Sequence, residues 1–81
     1  MTVLLFGVTR DIVGNGSLSI PDAKAGSLDT VGELKAYLHD KYPPLRAISS
    51  LAVAVNKAYA RDADPIGSLD EIALIPPVSG G

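Results

Sequence analysis

The sequence predicts a single α+β domain, with a mixed sheet wrapped around one main helix. Three observations carry this. Apolar, strand-forming runs stand near both ends of the chain, at 2–8 and 71–75. Only one stretch, from Thr30 to Tyr42, has a long helical periodicity. Short strand signals separated by turn residues fill the rest, in the order β-β-α-β-β-β. With 81 residues there is room for one small core and no second domain.

Thr2 to Val8 is apolar without clear alternation, the pattern of a strand covered on both faces, so it is placed at the centre of the sheet. Thr9 is a plausible N-cap and Gly14 a plausible C-terminal stop for one helical turn. Asn15-Gly16 is alternatively the tip of a two-residue hairpin leading into Ser17–Ile20. On either reading the first two strands are antiparallel. Residues 21–29 are polar and lack periodicity, which predicts a surface loop.

Thr30 and Glu33 stand at capping-box spacing, each able to accept from an amide of the other. Val31, Leu34, Leu38 and Tyr42 then form one apolar stripe that needs a sheet to cover, and Pro43-Pro44 ends the helix. Gly32, in the first turn, costs about 1 kcal/mol relative to Ala and has no local rationale. Leu45, Ile48 and Leu51 are expected to plug one end of the core. Ala52–Asn56 reads as a strand that Asn56-Lys57 turns into Ala58–Ala60. Asp62–Pro65 and Gly67–Asp70 read as turns before the final strand, Glu71–Ile75. This order suggests a β-grasp arrangement, with the first and last strands side by side in the centre.

Composition excludes several functions. There is no cysteine, hence no disulfide, thiolate metal site or cysteine nucleophile, and a reducing cytoplasm fits. A formal charge of −2 with scattered lysines and arginines gives no basic stripe, so nucleic acid is not an expected partner. No apolar run approaches the roughly 20 residues that span a bilayer, and no membrane role is expected. The N-terminal apolar run has neither a basic flank nor a cleavage site, and reads as a strand rather than a signal peptide.

Catalytic groups are equally scarce. His39, the one histidine, lies on the polar side of the helix with no triad partner, and is expected to be solvated. Asp70 and Glu71 are adjacent and, if extended, point to opposite faces, which argues against paired acid/base work. Asp62 and Asp64 lack the other ligands of a calcium loop. Ser79 has no base beside it. The scattered glycines make no phosphate loop, and neither a bound cofactor nor a metal is expected.

What remains is the end of the sequence, Pro76-Pro77-Val78-Ser79-Gly80-Gly81. Two prolines favour extended backbone, so residues 76–81 are expected to leave a 1–75 body as a stiff arm of at most about 20 Å. Gly80 and Gly81 lack Cβ atoms and can enter a channel too narrow for other residues. The terminal carboxylate is a poor electrophile until a partner enzyme adenylates it with ATP. The alternative is an ordinary frayed end.

Taken together, Thr30-Val31-Gly32-Glu33-Leu34, Ala54-Val55-Asn56, Asp70-Glu71-Ile72 and the Pro-Pro-Val-Ser-Gly-Gly terminus resemble the small subunit of molybdopterin synthase (MoaD). The resemblance spans essentially the whole chain, and the terminus is its specific part. One departure is Leu69, where the family usually has Gly before the Asp-Glu pair. The resemblance implies a ubiquitin-like β-grasp fold and a sulfur carrier, itself non-catalytic. In that cycle a MoeB-like enzyme adenylates Gly81, which is then converted to a thiocarboxylate. This enters a MoaE-like large subunit, in a heterotetramer of two small and two large chains, and gives sulfur to cyclic pyranopterin monophosphate for molybdenum cofactor synthesis. Gly80 keeps the approach narrow, while Pro76, Pro77, Val78 and Ser79 shape the inserted arm.

Docking needs more than a flexible arm, because ordering it costs entropy. Phe6, Tyr59 and Ile75 are candidates for an apolar patch on the sheet, the alternative being that Phe6 and Ile75 are core. Arg10 is either an added polar contact or a surface ion pair. Two other functions fit the same features. One is a thiamine-type sulfur carrier or ubiquitin-like protein modifier, and the other is a plain interaction domain.

Overall fold

The computed structural model describes residues 1–48 and 50–77. These residues form a five-stranded sheet in the order β2-β1-β5-β3-β4, in which β1 is Thr2–Leu5, β2 Ser17–Ser19, β3 Ala52–Val55, β4 Ala58–Ala60 and β5 Glu71–Ile75. β1 and β5, the first and last strands, run parallel side by side, with Val3 opposite Ile72. The other pairs are antiparallel. Among the described residues, no helix is long and apolar enough to cross a membrane.

β1 is central as expected, but only one of its faces is covered. Val3 and Leu5 are buried, while Thr2 is exposed and Leu4 half-buried. The reason is that the main helix packs on one side and nothing in the described chain packs on the other. β1 is also shorter than the apolar run. Gly7 takes φ 57° and ψ −133°, and the N–H of Thr9 donates to the Phe6 carbonyl at 3.2 Å, a turn of type II′ geometry. That turn leads into α1 (Val8–Val13), whose N-cap is Gly7, not Thr9. Thr9 is fully buried inside α1. Its Oγ1 accepts from the Phe6 N–H at 2.9 Å and donates to the Phe6 carbonyl at 2.6 Å. Gly14 ends α1 in the left-handed region, at φ 88°, with its N–H on Arg10 O at 2.7 Å. The helix therefore stands where a direct Asn15-Gly16 hairpin would have been.

The expected loop at 21–29 contains a one-turn helix, α2 (Asp22–Ala25), which buries Ala25, followed by buried Leu28. Four residues are too few for periodicity to register. α3 (Val31–Lys41) is the main helix and buries Val31, Leu34 and Leu38 against the sheet. Thr30 Oγ1 accepts from the Glu33 N–H at 3.2 Å, but Glu33 Oε1 accepts from the Asp29 N–H at 2.8 Å rather than from Thr30. The return arm of the capping box is shifted by one residue.

Gly32 acquires a reason only in three dimensions. The N–H groups of Val31 and Gly32, orphaned at the helix start, donate to the carbonyls of Asp64 and Asp62 at 3.0 and 2.9 Å. A Cβ on Gly32 would lie 3.2 Å from Asp62 O, so a larger residue would have to push this loop back by a few tenths of an ångström, and glycine lets it approach closely. After α3, a 3₁₀ segment at Pro43–Ala47 buries Leu45, and Ile48 and Leu51 pack partly buried on the core. His39 differs from its expectation. It is half-buried, and its Nε2 is shut from solvent without a hydrogen-bond partner among the described residues.

Candidate functional site

Alternation along the strands divides the sheet into two faces. On β5, Ile72 and Leu74 are buried under α3, while Glu71, Ala73 and Ile75 face the other way. The pairings Ala54↔Ala73 and Ala54↔Tyr59 extend this open face across β3 and β4. Phe6, released from β1 by the Gly7 turn, completes it beyond Leu4.

Three of the four expected interface residues meet here. Phe6 is 49% exposed and Tyr59 76% exposed, and Ile75 is half-buried. They line one concavity of about 280 Å³, floored by Ala54 and Ala73. Lys57 and Glu71 line the same concavity. Large apolar groups thus stand around small ones on an uncovered sheet and form an apolar socket. Arg10 is not part of it. It lines a separate concavity with Asp11, Gly14 and Asn15, and its guanidinium lies over Gly16.

Ile75 is the last strand residue, and Pro76 follows, half-buried. An ideal Cβ on Gly7 would stand 3.0 Å from Pro76 Cγ, so the bare Gly7 lets the proline ring lie against the turn. A glycine directly after an apolar strand run was the signal for this contact, although its partner 69 positions later was not legible. Of the expected tail residues, Pro76 and Pro77 are described. Val78, Ser79, Gly80 and Gly81 lie outside the described residues.

A polar clamp fixes the lower edge of the same face. Asn56 and Lys57 have φ of 52° and 71°, the double left-handed geometry of a type I′ turn. From this turn Asn56 Nδ2 donates to Asp70 Oδ1 at 3.0 Å, and Asn56 Oδ1 accepts from the Glu71 N–H at 3.0 Å. Asp70 Oδ2 accepts from the Gly67 N–H at 2.7 Å. These bonds favour the ionised carboxylate, the Asn56 amide first and the Gly67 N–H second, and hold Asp70 below its ordinary pKa. Asp62 and Asp64 serve the loop before α3. Asp62 pairs with Lys35 at 3.0 Å and Asp64 accepts from the Arg61 N–H at 2.8 Å. No cluster of three metal-ligating side chains occurs among the described residues.

Fold and site together define a ubiquitin-like β-grasp protein whose uncovered sheet face adjoins the root of a Pro-Pro arm. The chain belongs to the ThiS family, whose model matches residues 3–81. It is 38% identical, over 98% of its length and 93% of the relative's, to a molybdopterin synthase sulfur carrier subunit of Dictyostelium discoideum. Among solved structures, it resembles subunit 1 or 2 in a complex of the two subunits of the molybdopterin-converting factor from Helicobacter pylori. The TM-score is 0.65 and the identity 26%, over 99% of this chain and 96% of that one. It is also similar to the small archaeal modifier protein 1 of Methanosarcina acetivorans, with a TM-score of 0.72 and 26% identity over 99% and 94% of the two chains.

Proposed function

We propose that this chain is the sulfur carrier subunit of a molybdopterin synthase. The observation that carries the reading is the apolar socket of Phe6, Tyr59 and Ile75 at the root of the Pro76-Pro77 arm, in a chain similar over its length to proteins of that name. The body is residues 1–75, and its work is to present residues 76–81 to partners. An activating enzyme supplies ATP. The Gly81 carboxylate attacks its α-phosphorus, pyrophosphate leaves, and an acyl-adenylate results. Hydrosulfide delivered by a sulfur donor then attacks the acyl carbon, its C–S bond forming as the bond to AMP breaks, and loss of the proton leaves a thiocarboxylate. Gly80 and Gly81 pass into a narrow channel of the large subunit because neither carries a Cβ. There the sulfur moves to the pterin precursor, and the carboxylate is regenerated by water. Chemistry at the precursor belongs to the large subunit, and this chain acts as substrate carrier.

Intact-mass measurement after incubation with an activating enzyme, ATP and a sulfur donor tests this. The expected result is the oxygen-to-sulfur mass increment, absent when Gly81 is deleted. An unmodified chain, under conditions that modify a control carrier, overturns the proposal. A second reading, a protein modifier, is favoured by the similarity to the archaeal modifier protein. The same adenylate would then acylate a lysine amine. Conjugates of higher mass, formed without a large subunit, would select it.

A further inference from the structure

Leu4, Ala54, Tyr59, Ala73 and Ile75 give the open face an uncharged centre, and Glu71 stands at its edge, at the start of β5, opposite Thr2 and beside the Asn56-Lys57 turn. It lines the Tyr59–Ile75 socket, a small concavity of about 150 Å³ shared with Asn56 and Lys57, and one of about 460 Å³ whose walls include Leu4 and Leu69 but also Asp22 and Asp70. Its backbone is held on both sides, since the Asn56 N–H donates to Glu71 O at 2.8 Å and the Glu71 N–H donates to Asn56 Oδ1 at 3.0 Å. The carboxylate itself makes no ion pair or hydrogen bond with a described residue. Lys57 shares the socket rim, yet does not approach within ion-pair distance of it.

We infer that Glu71 is the charged specificity contact of this face, and that the surface docking on it carries an arginine or lysine opposite Glu71 at the edge of its apolar patch. The inference rests on the docking-face reading above, and the occupant is the synthase large subunit. A partner that fills the Tyr59–Ile75 socket also meets Glu71, which lines it. A desolvated carboxylate without a counter-charge opposes association, whereas one met by a cation sets register and rejects partners that lack it. The fixed backbone makes Glu71 suited to this, because little of its main chain has to be ordered on docking. Leu69 on the far rim adds apolar contact without competing for the charge.

The test is titration of the unmodified full chain with its cognate large subunit, at about 50 and 300 mM salt, where screening differs strongly. Glu71→Gln is expected to weaken binding roughly ten- to hundredfold and to lose most of the salt dependence, with Glu71→Lys weaker still. Lys57→Ala, on the wall of the same concavity, should lose less affinity than Glu71→Gln and keep the salt dependence of the parent. Because the Glu71 side chain is exposed and unbonded, thermal unfolding of these variants should match that of the parent, which keeps folding out of the comparison. Glu71→Gln binding as tightly as the parent, or more tightly, overturns the inference while leaving the docking face intact. So does Lys57→Ala reproducing the Glu71→Gln loss with no further loss in the double variant, since the counter-charge would then lie on this chain. Failure of the parent to bind the large subunit removes the docking-face reading itself, and this inference with it.

Discussion

The two faces of the sheet are made by the same strands, yet they have opposite fates. Under α3, Val3, Leu5, Ile72 and Leu74 are at most 2% exposed, and with Leu34 and Leu38 they form the dry centre of the core. One residue along each strand, the other face presents Leu4, Ala54, Ala73 and Ile75, with Tyr59 and Phe6 standing out from it. Branched aliphatic side chains of matched size fill the covered face. The uncovered face combines small residues with isolated large ones, which leaves a concavity rather than a packed layer. The difference separates folding from association. Apolar area on the first face is consumed when the chain folds, while area on the second remains available to a partner.

The largest expected effect breaks the covered face. Leu34→Ala removes a fully buried side chain and should cost about 2–5 kcal/mol in chemical denaturation, a large part of the stability of a domain this size. Where the variant is still folded, its affinity for the large subunit should be unchanged. A loss below about 1 kcal/mol would mean that the core is not continuous beneath α3. The opposite pattern is expected on the open face. Phe6→Ala and Tyr59→Ala should each shift folding stability by less than about 1 kcal/mol, but weaken complex formation tenfold or more. Unchanged affinity in both folded variants would remove the docking face.

The smallest effect concerns the clamp between the faces. The folded state holds the Asp70 pKa below its unfolded value, so its stabilising contribution is present above the ordinary carboxylate pKa. It is lost as pH falls through the depressed folded value. Denaturation of the parent and Asp70→Asn across acid pH should therefore give curves that are separated near neutrality and converge in strong acid. Separation that persists in strong acid would assign the difference to something other than the ionised carboxylate.

Elements specified by neighbouring residues were legible. Thr30 capping α3, the stripe of Val31, Leu34 and Leu38, the Asn56-Lys57 turn and the Gly14 stop all depend on spacings within one or two turns of chain. The central pairing of β1 with β5 was legible from the order of the elements, which suggested a β-grasp arrangement. Illegible features join distant segments or have no period. Thr9 reads as a cap until its hydroxyl is seen to secure the Phe6 turn. Glu33 reaches Asp29 because the chain entering α3 is turned by the 62–65 loop. His39 lies on the polar side of a helical wheel and is nevertheless half-buried. Of the site, Phe6, Tyr59 and Ile75 were identified as candidates from size and position, whereas their common concavity, and the presence of Glu71 in it, needed the sheet register.

The sequence by itself determined the order of the five strands and the main helix along the chain, and the apolar stripe on that helix, because each is written in local chemistry and short periods. Tertiary structure alone decided that one side of β1 stays uncovered, that the 62–65 loop comes close against Gly32 and that Pro76 lies against Gly7. Those outcomes depend on which distant segments arrive at the same place. A linear pattern records the demand for burial, but only packing decides which face has it met and which is left open for a second molecule.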